Sequence, residues 1–173
     1  KVKGEDAYFL VWTTTPWTLI SNVALAVGPD YDYVKVEHGG DRLILAEALL
    51  GVLGGEYEII EKFKGSQLAG KQYEPCFPFF KDAEGGFRVI EADFVTLTDG
   101  TGIVHTAPAF GEDDYRIGTE KVLPFIQPVD KEGKFTAEVE PWAGRFVKDC
   151  DQEIIEDLKR RGILYRSEEI THS

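Results

Sequence analysis

The sequence predicts a mainly β domain with helices, an α+β fold in which a β-barrel-like set of short strands is decorated with short helices. Three observations lead there. Short runs rich in Val, Ile, Tyr, Phe and Thr recur along the chain, separated by glycine turns. Short, antiparallel-looking strands predominate over the regular strand–helix alternation of a parallel α/β sheet. At 173 residues the chain suits one domain that buries roughly 70% of its unfolded surface.

The first strand is predicted over Tyr8 to Thr13, where an apolar run enters "VWTTTPWTLISN" and Pro16 stops it. Val23 to Val27 and Tyr33 to Val36 follow, and a Gly39-Gly40 turn leads into Arg42 to Ala46 as a hairpin. A short helix near Glu47 to Leu53 precedes strands at Tyr57 to Phe63, Phe87 to Glu91, Phe94 to Leu97 and Ile103 to Thr106. "AEGGF" and "DKEGKF" read as further hairpin turns. Two later segments are helical. "GEDDYRIGTEKV" follows Gly111 and sets three acids in its first turn, where the helix dipole favours them. "DQEIIEDLKRRG" aligns Ile154, Ile155 and Leu158 on one face and ends on Lys159, Arg160 and Arg161 before Gly162.

Composition narrows the function. A net charge of −12 disfavours nucleic acid as a bulk partner, so any phosphate contact must come from a local patch or a neighbouring domain. No apolar run approaches the roughly 20 residues that span a bilayer. Cys76 and Cys150 lie far apart and outside any C-x-x-C spacing, which suits a reducing compartment, the cytoplasm by default. The chain has no methionine, as expected of a piece of a longer protein.

Several familiar sites fall away. "DGTGIVH" has Gly100 and Gly102, but His105 stands where a dinucleotide fingerprint needs its third glycine, so a turn into a strand is the better reading. Ser21, Ser66 and Ser167 lack a nucleophile elbow. Cys76 reads as a buried thiol, and Lys159-Arg160-Arg161 as a helix ending rather than an RNA contact. His38 and His172 have no partner identifiable from sequence. The segment "GTGIVHTAPAFGEDDY" is different: a strand carrying His105, a proline loop, and a helix opening on Glu112, Asp113 and Asp114. Acids there serve a helix dipole or a ligand, and His105 is either a satisfied imidazole or a functional one.

"WTTTPWTL" and "GTGIVHTAPAFGEDDY" together resemble the editing domain of isoleucyl-tRNA synthetases, over nearly the whole chain and including the closing "THS". Related valine and leucine enzymes carry an arginine and an acid where this chain has Thr15 and Trp17, the isoleucine form. The resemblance implies that residues 1–173 are a single editing domain of a longer synthetase, lacking the ATP-binding signatures H-I-G-H and K-M-S-K-S. It implies hydrolysis of valine from the 3′ acceptor end of a tRNA specific for isoleucine, with valyl-adenylate as a second substrate. Asp114 then binds the substrate's α-ammonium. Thr13, Thr14, Thr15 and Asn22 hold ribose and adenine, orient water or satisfy an oxyanion, with Thr14, Thr15 and Asp114 carrying catalysis. His105 and Trp17 shape the substrate pocket. The same resemblance implies no metal or other cofactor, a monomer, no membrane, and the synthetase's catalytic core as partner. Two other readings stay open: a non-catalytic module that clamps the acceptor end, and an editing domain tuned to the acyl group of a valine- or leucine-type enzyme.

Overall fold

The computed structural model describes residues 2–13, 15–53, 56–75, 77–81, 83, 85–98 and 100–161; the expectations for Thr14, Cys76, Ser167 and His172 lie outside them. In chain order the elements are β1 (Tyr8–Phe9), a 3-10 turn (Pro16–Ser21), β2 (Ala24–Val27), β3 (Asp32–His38), β4 (Asp41–Ala46), a 3-10 turn (Glu47–Val52) and β5 (Glu58–Lys64). There follow α1 (Gly65–Leu68), β6 (Arg88–Glu91), β7 (Ile103–Thr106), α2 (Glu112–Glu120) and α3 (Asp151–Arg160), with short 3-10 turns between.

The strands form two open sheets, ordered β1-β4-β3-β5 and β6-β2-β7. The β3–β4 hairpin places Tyr33 opposite Ala46 and His38 opposite Asp41. Gly39 and Gly40 between them both take positive φ, 58° and 87°, the handedness that matches a two-residue turn to twisted strands. β2 is buried on both faces, and its alternation explains how. Leu25 and Val27 meet Tyr33, Ile44, Ala46, Val89 and Ile103 between the sheets. Ala24 and Ala26 turn the other way, towards Ile90, Val95 and Ile117 of α2.

The barrel-like expectation takes a specific form. Past β1 the chain leaves the first sheet, and Trp12 bridges in parallel to Val104 of β7 in the second. The Ala46 N–H donates to the Thr101 carbonyl at 2.8 Å, so β4 and the turn before β7 are tied as well. Gly102 makes that approach feasible: its φ is +77°, and a Cβ there would lie 2.5 Å from the Ala46 Cβ. The glycine pair of "DGTG" thus serves packing. A second core gathers Ile20, Phe77, Phe135, Trp142, Cys150, Ile154 and Leu158 beneath α3.

Four expectations differ from the structure. The ladders are mixed, since β1–β4 and β2–β6 are parallel. The first strand's ladder covers only Tyr8 and Phe9, because the chain then crosses to the second sheet, where Trp12 bridges Val104. Phe94 to Leu97 form no strand; the Val95 carbonyl accepts from the Tyr31 hydroxyl at 2.9 Å instead of from a ladder. Gly85 and Gly86 sit in the long connection between the bridge partners Gln72 and Arg88 rather than in a tight hairpin. The other two motifs behave as read. "DKEGKF" closes the small antiparallel bridge of Val129 to Phe135. Arg160 and Arg161 both pair with Asp157 at the end of α3. None of the described helices is long and apolar enough to cross a membrane.

Candidate functional site

A cleft of about 410 Å³ opens where the Trp12–Thr18 segment, the turn into β7 and the start of α2 converge. That size is ordinary for a small-molecule site. Its polar lining is unusual in kind. Thr13, Thr15, Thr18, Thr96 and Thr101 supply hydroxyls, and His105 and Asp114 are the titratable side chains among the described lining residues. Trp12, Phe94 and Phe110 provide aromatic walls.

β7 presents His105 opposite Leu25 of β2, so the ring is buried against the sheet. Both ring nitrogens are engaged: Nε2 lies 3.1 Å from Thr18 Oγ1, and Nδ1 lies 2.7 Å from Asn22 Nδ2. The proton positions follow from counting. A hydroxyl has one proton and two lone pairs. Thr18 gives its proton to the Thr15 carbonyl at 2.8 Å. Both neighbours of Thr18 Oγ1 must therefore be donors: Thr15 Oγ1 at 3.0 Å, and His105 through Nε2–H. His105 Nδ1 accepts from the Asn22 amide, whose second proton goes to the Ala24 carbonyl at 2.9 Å. His105 is neutral with no lone pair to spare. Burial agrees, pushing its pKa down to about 4, with contact to Thr18 pulling the other way.

Thr15 is thus committed as a donor inwards, towards Thr18. Its N–H bonds Thr13 Oγ1 at 3.2 Å. Thr15 Oγ1 therefore presents an oxygen acceptor to the cleft for water, hydroxyl or ammonium donors, while Thr13 Oγ1, 3.5 Å from it, keeps a proton to donate. On the facing side Asp114, in the first turn of α2, folds back so that Oδ2 accepts from the Ala107 N–H at 3.1 Å. Burial raises its pKa above the ordinary aspartate value; the Ala107 bond opposes the rise and the Asp113 charge adds to it. A carboxylate held at that cost is poised to receive a cation.

The His105 shift has a measurable consequence. Unfolded histidine takes up a proton near pH 6.5, whereas the folded ring stays neutral to about pH 4. Between those values the unfolded state binds the extra proton, so stability falls as pH drops through that window, by up to about 3 kcal/mol. Carboxylates titrate there too, so the quantity to compare is the pH slope of unfolding free energy in the wild type and in His105→Gln. The variant is expected to have the flatter slope; equal slopes would contradict a buried neutral ring.

The structure brings Thr13, Thr15, His105 and Asp114 to one cleft. Asn22 and Trp17 stand behind it. Asn22 holds His105 and the Ala24 carbonyl, while its Oδ1 accepts from the Tyr73 hydroxyl. Trp17 packs edge-to-face on Phe110 at 4.9 Å, and its backbone N–H donates to the Asp151 carboxylate at 3.0 Å, tying the threonine segment to the start of α3. Both therefore support lining residues rather than line the cleft. Sequence reasoning missed Thr18 as the hub of the network, although it is the fourth threonine of "TTTPWT", and missed Tyr73, which no motif marks. His38, outside the cleft, bonds the Glu56 carbonyl through Nδ1 at 2.8 Å. Among the described residues no group of three or more His, Cys, Asp or Glu side chains is placed to hold a metal ion.

No protein-family model matches the chain. It is 58% identical over 174 residues to the isoleucine–tRNA ligase of Clostridium acetobutylicum, a match covering 100% of this chain and 17% of that protein. The ligase of Thermoplasma volcanium is 45% identical over 174 residues, again covering 100% and 17%. The chain thus spans about a sixth of the length of these relatives. A solved structure described as GlLeuRS-CP1 superposes with a TM-score of 0.76 at 18% identity, covering 95% of this chain and 86% of that one. The Plasmodium falciparum cytosolic leucyl-tRNA synthetase editing domain gives 0.69 at 13% identity, covering 91% and 78%. The chain is therefore homologous over its full length to one segment of the isoleucine–tRNA ligases, and it has the α+β fold of the leucyl-tRNA synthetase editing domains.

Proposed function

We propose that the chain is a hydrolytic editing site that removes valine wrongly esterified to the terminal ribose of a tRNA specific for isoleucine. The observation that carries this reading is a cleft with one buried-side carboxylate facing a row of uncharged hydroxyl oxygens. The substrate is its chemical complement. An aminoacyl ester offers one ammonium, a ribose hydroxyl and a carbonyl that water can attack; Asp114 suits the first, while the threonine oxygens can accept from the hydroxyl and from the attacking water. His105 has no free lone pair to serve as base, since Nδ1 already accepts a hydrogen bond from the Asn22 amide. Catalysis then rests on position: water donating its protons to threonine oxygens turns a lone pair towards an already reactive ester.

The need for such a site is energetic. One methylene in an apolar pocket discriminates by only about 1–3 kcal/mol, a figure drawn from the isoleucine–valine case itself and not from this cleft. A second cleft that admits valine and excludes isoleucine by size supplies the remainder. In this reading the 173 residues act as one editing domain, monomeric and cytoplasmic, beside a synthetase's catalytic core. Valyl-adenylate is a second substrate of the same cleft, and no cofactor is called for.

The test is deacylation. Valyl, threonyl and isoleucyl esters of an isoleucine tRNA are incubated with the chain; loss of the valyl ester ahead of the isoleucyl one is expected. Retarded RNA migration with every ester intact would indicate a clamp, and preferential loss of another acyl group a site tuned like the valine or leucine enzymes. Thr15→Val keeps the β-branched shape and deletes the hydroxyl that bonds Thr18. It is expected to slow hydrolysis roughly fivefold or more with little change in melting temperature. A silent substitution would reduce the threonine row to a strand ending.

A further inference from the structure

We propose that Tyr73 is a positioning residue for the cleft, its hydroxyl fixing the Asn22 carboxamide and, through it, the tautomer of His105 and the hold on the Thr15–Thr18 turn. Tyr73 lies off the cleft, on a stretch bridged to Val2, with its N–H bonded to the Phe87 carbonyl at 3.0 Å. It is buried, and its ring stands edge-on to Phe9 at 6.5 Å and to Phe87 at 6.1 Å. Two perpendicular contacts make the ring a fixed post.

From that post the hydroxyl donates to Asn22 Oδ1. The amide nitrogen of Asn22 must then face the opposite way, towards the Ala24 carbonyl and His105 Nδ1. With Nδ1 accepting that hydrogen bond, the imidazole carries its own proton on Nε2 and donates to Thr18. Thr18 is thereby left to bond the Thr15 carbonyl, which also accepts the Thr18 N–H at 3.0 Å and so closes the turn beside the threonine row. If the carboxamide rotates, its oxygen faces Ala24 and Nδ1 instead. The ring proton moves to Nδ1, Nε2 becomes an acceptor, and the Thr18 proton is drawn from the Thr15 carbonyl to the ring. The Ala24 carbonyl opposes that rotation from one end and Tyr73 from the other.

Tyr73→Phe deletes one oxygen and keeps the ring contacts, so the fold is expected to survive, as a thermal melt checks. The direct readout is the pair of His105 ring nitrogen signals in 15N NMR, which separate the Nε2–H from the Nδ1–H tautomer. Asn22→Asp, which offers acceptors only, supplies the reference spectrum of the inverted ring. Tyr73→Phe is expected to shift the ring signals towards that reference and to lower the turnover of valyl-ester hydrolysis ~three- to tenfold, with KM little changed. Unchanged ring signals would overturn the inference whatever the rate does. Shifted signals with an unchanged rate would confine Tyr73 to the imidazole and remove it from the reaction. The rate effect rests on the proposed function and the spectrum does not: a wild-type chain that hydrolyses no ester sinks that function, while the spectrum still decides whether Tyr73 sets the tautomer.

Discussion

Asp114→Asn is expected to lower valyl-ester hydrolysis roughly ten- to hundredfold while leaving the chain as stable as before, or more so. The two halves of this result have separate causes. An asparagine oxygen can still accept the Ala107 N–H, so the backward fold of the side chain is kept and only the charge is lost. A charged hydrogen bond to an ammonium is worth about 1.5–3 kcal/mol, which sets the loss of rate. Stability moves the other way because burial raises the Asp114 pKa above its unfolded value. The folded state then holds the proton more tightly, and the ionised form is disfavoured as pH rises through the folded pKa. Deleting the charge removes that penalty at neutral pH. Deacylation and thermal unfolding are to be measured on the same preparation. Near-normal hydrolysis by a folded variant would take Asp114 out of the site. The next candidate would be Asp113, whose exposed carboxylate lies 3.7 Å from Arg116.

His105→Ala is expected to change selectivity more than rate. In the proposed binding mode, removing the ring opens space beside the substrate side chain and spares Asp114 and the Thr15 hydroxyl, which line the cleft themselves. Valyl-ester hydrolysis should fall modestly, since Thr18 and Asn22 each lose a partner. Isoleucyl-ester hydrolysis should rise, because relief of the overlap with one methylene returns about 1–3 kcal/mol, roughly tenfold or more in rate. A general base behaves differently: both esters would slow together by a hundredfold or more. The ratio of the two rates therefore decides. A ratio that stays fixed while both rates collapse would make His105 catalytic and contradict the occupied Nδ1.

Local signals carried the elements that local chemistry controls. The Gly39-Gly40 turn, the acid-led start of α2 and the apolar face of α3 are each written within a dozen residues, and each is where it was expected. Parallel pairing of β2 with β6 is not local: 60-odd residues separate the partners, and an alternating run looks the same beside either neighbour. Phe94 to Leu97 has the composition of a strand, yet the Tyr31 hydroxyl takes the Val95 carbonyl and leaves Phe94 and Thr96 to the cleft. The site divides the same way. Its lining was legible because Thr13, Thr15, His105 and Asp114 fall in two motifs. The supporting role of Asn22 beneath His105 was not, since it depends on Tyr73, 51 residues away, and on which side of a carboxamide faces a ring.

The double tether on the His105 ring has a mechanical meaning. A sieve rejects an oversized group only if its wall is less compliant than the intruder is eager. Burying one extra methylene gains about 0.8 kcal/mol. Pushing the imidazole aside breaks its bond to Thr18 or to Asn22, and each such buried loss costs about 1–3 kcal/mol. The restoring force thus exceeds the prize for displacement, so under the proposed function an isoleucine side chain would meet a stiff stop where a softer residue, untethered at that position on β7, would yield and let it in.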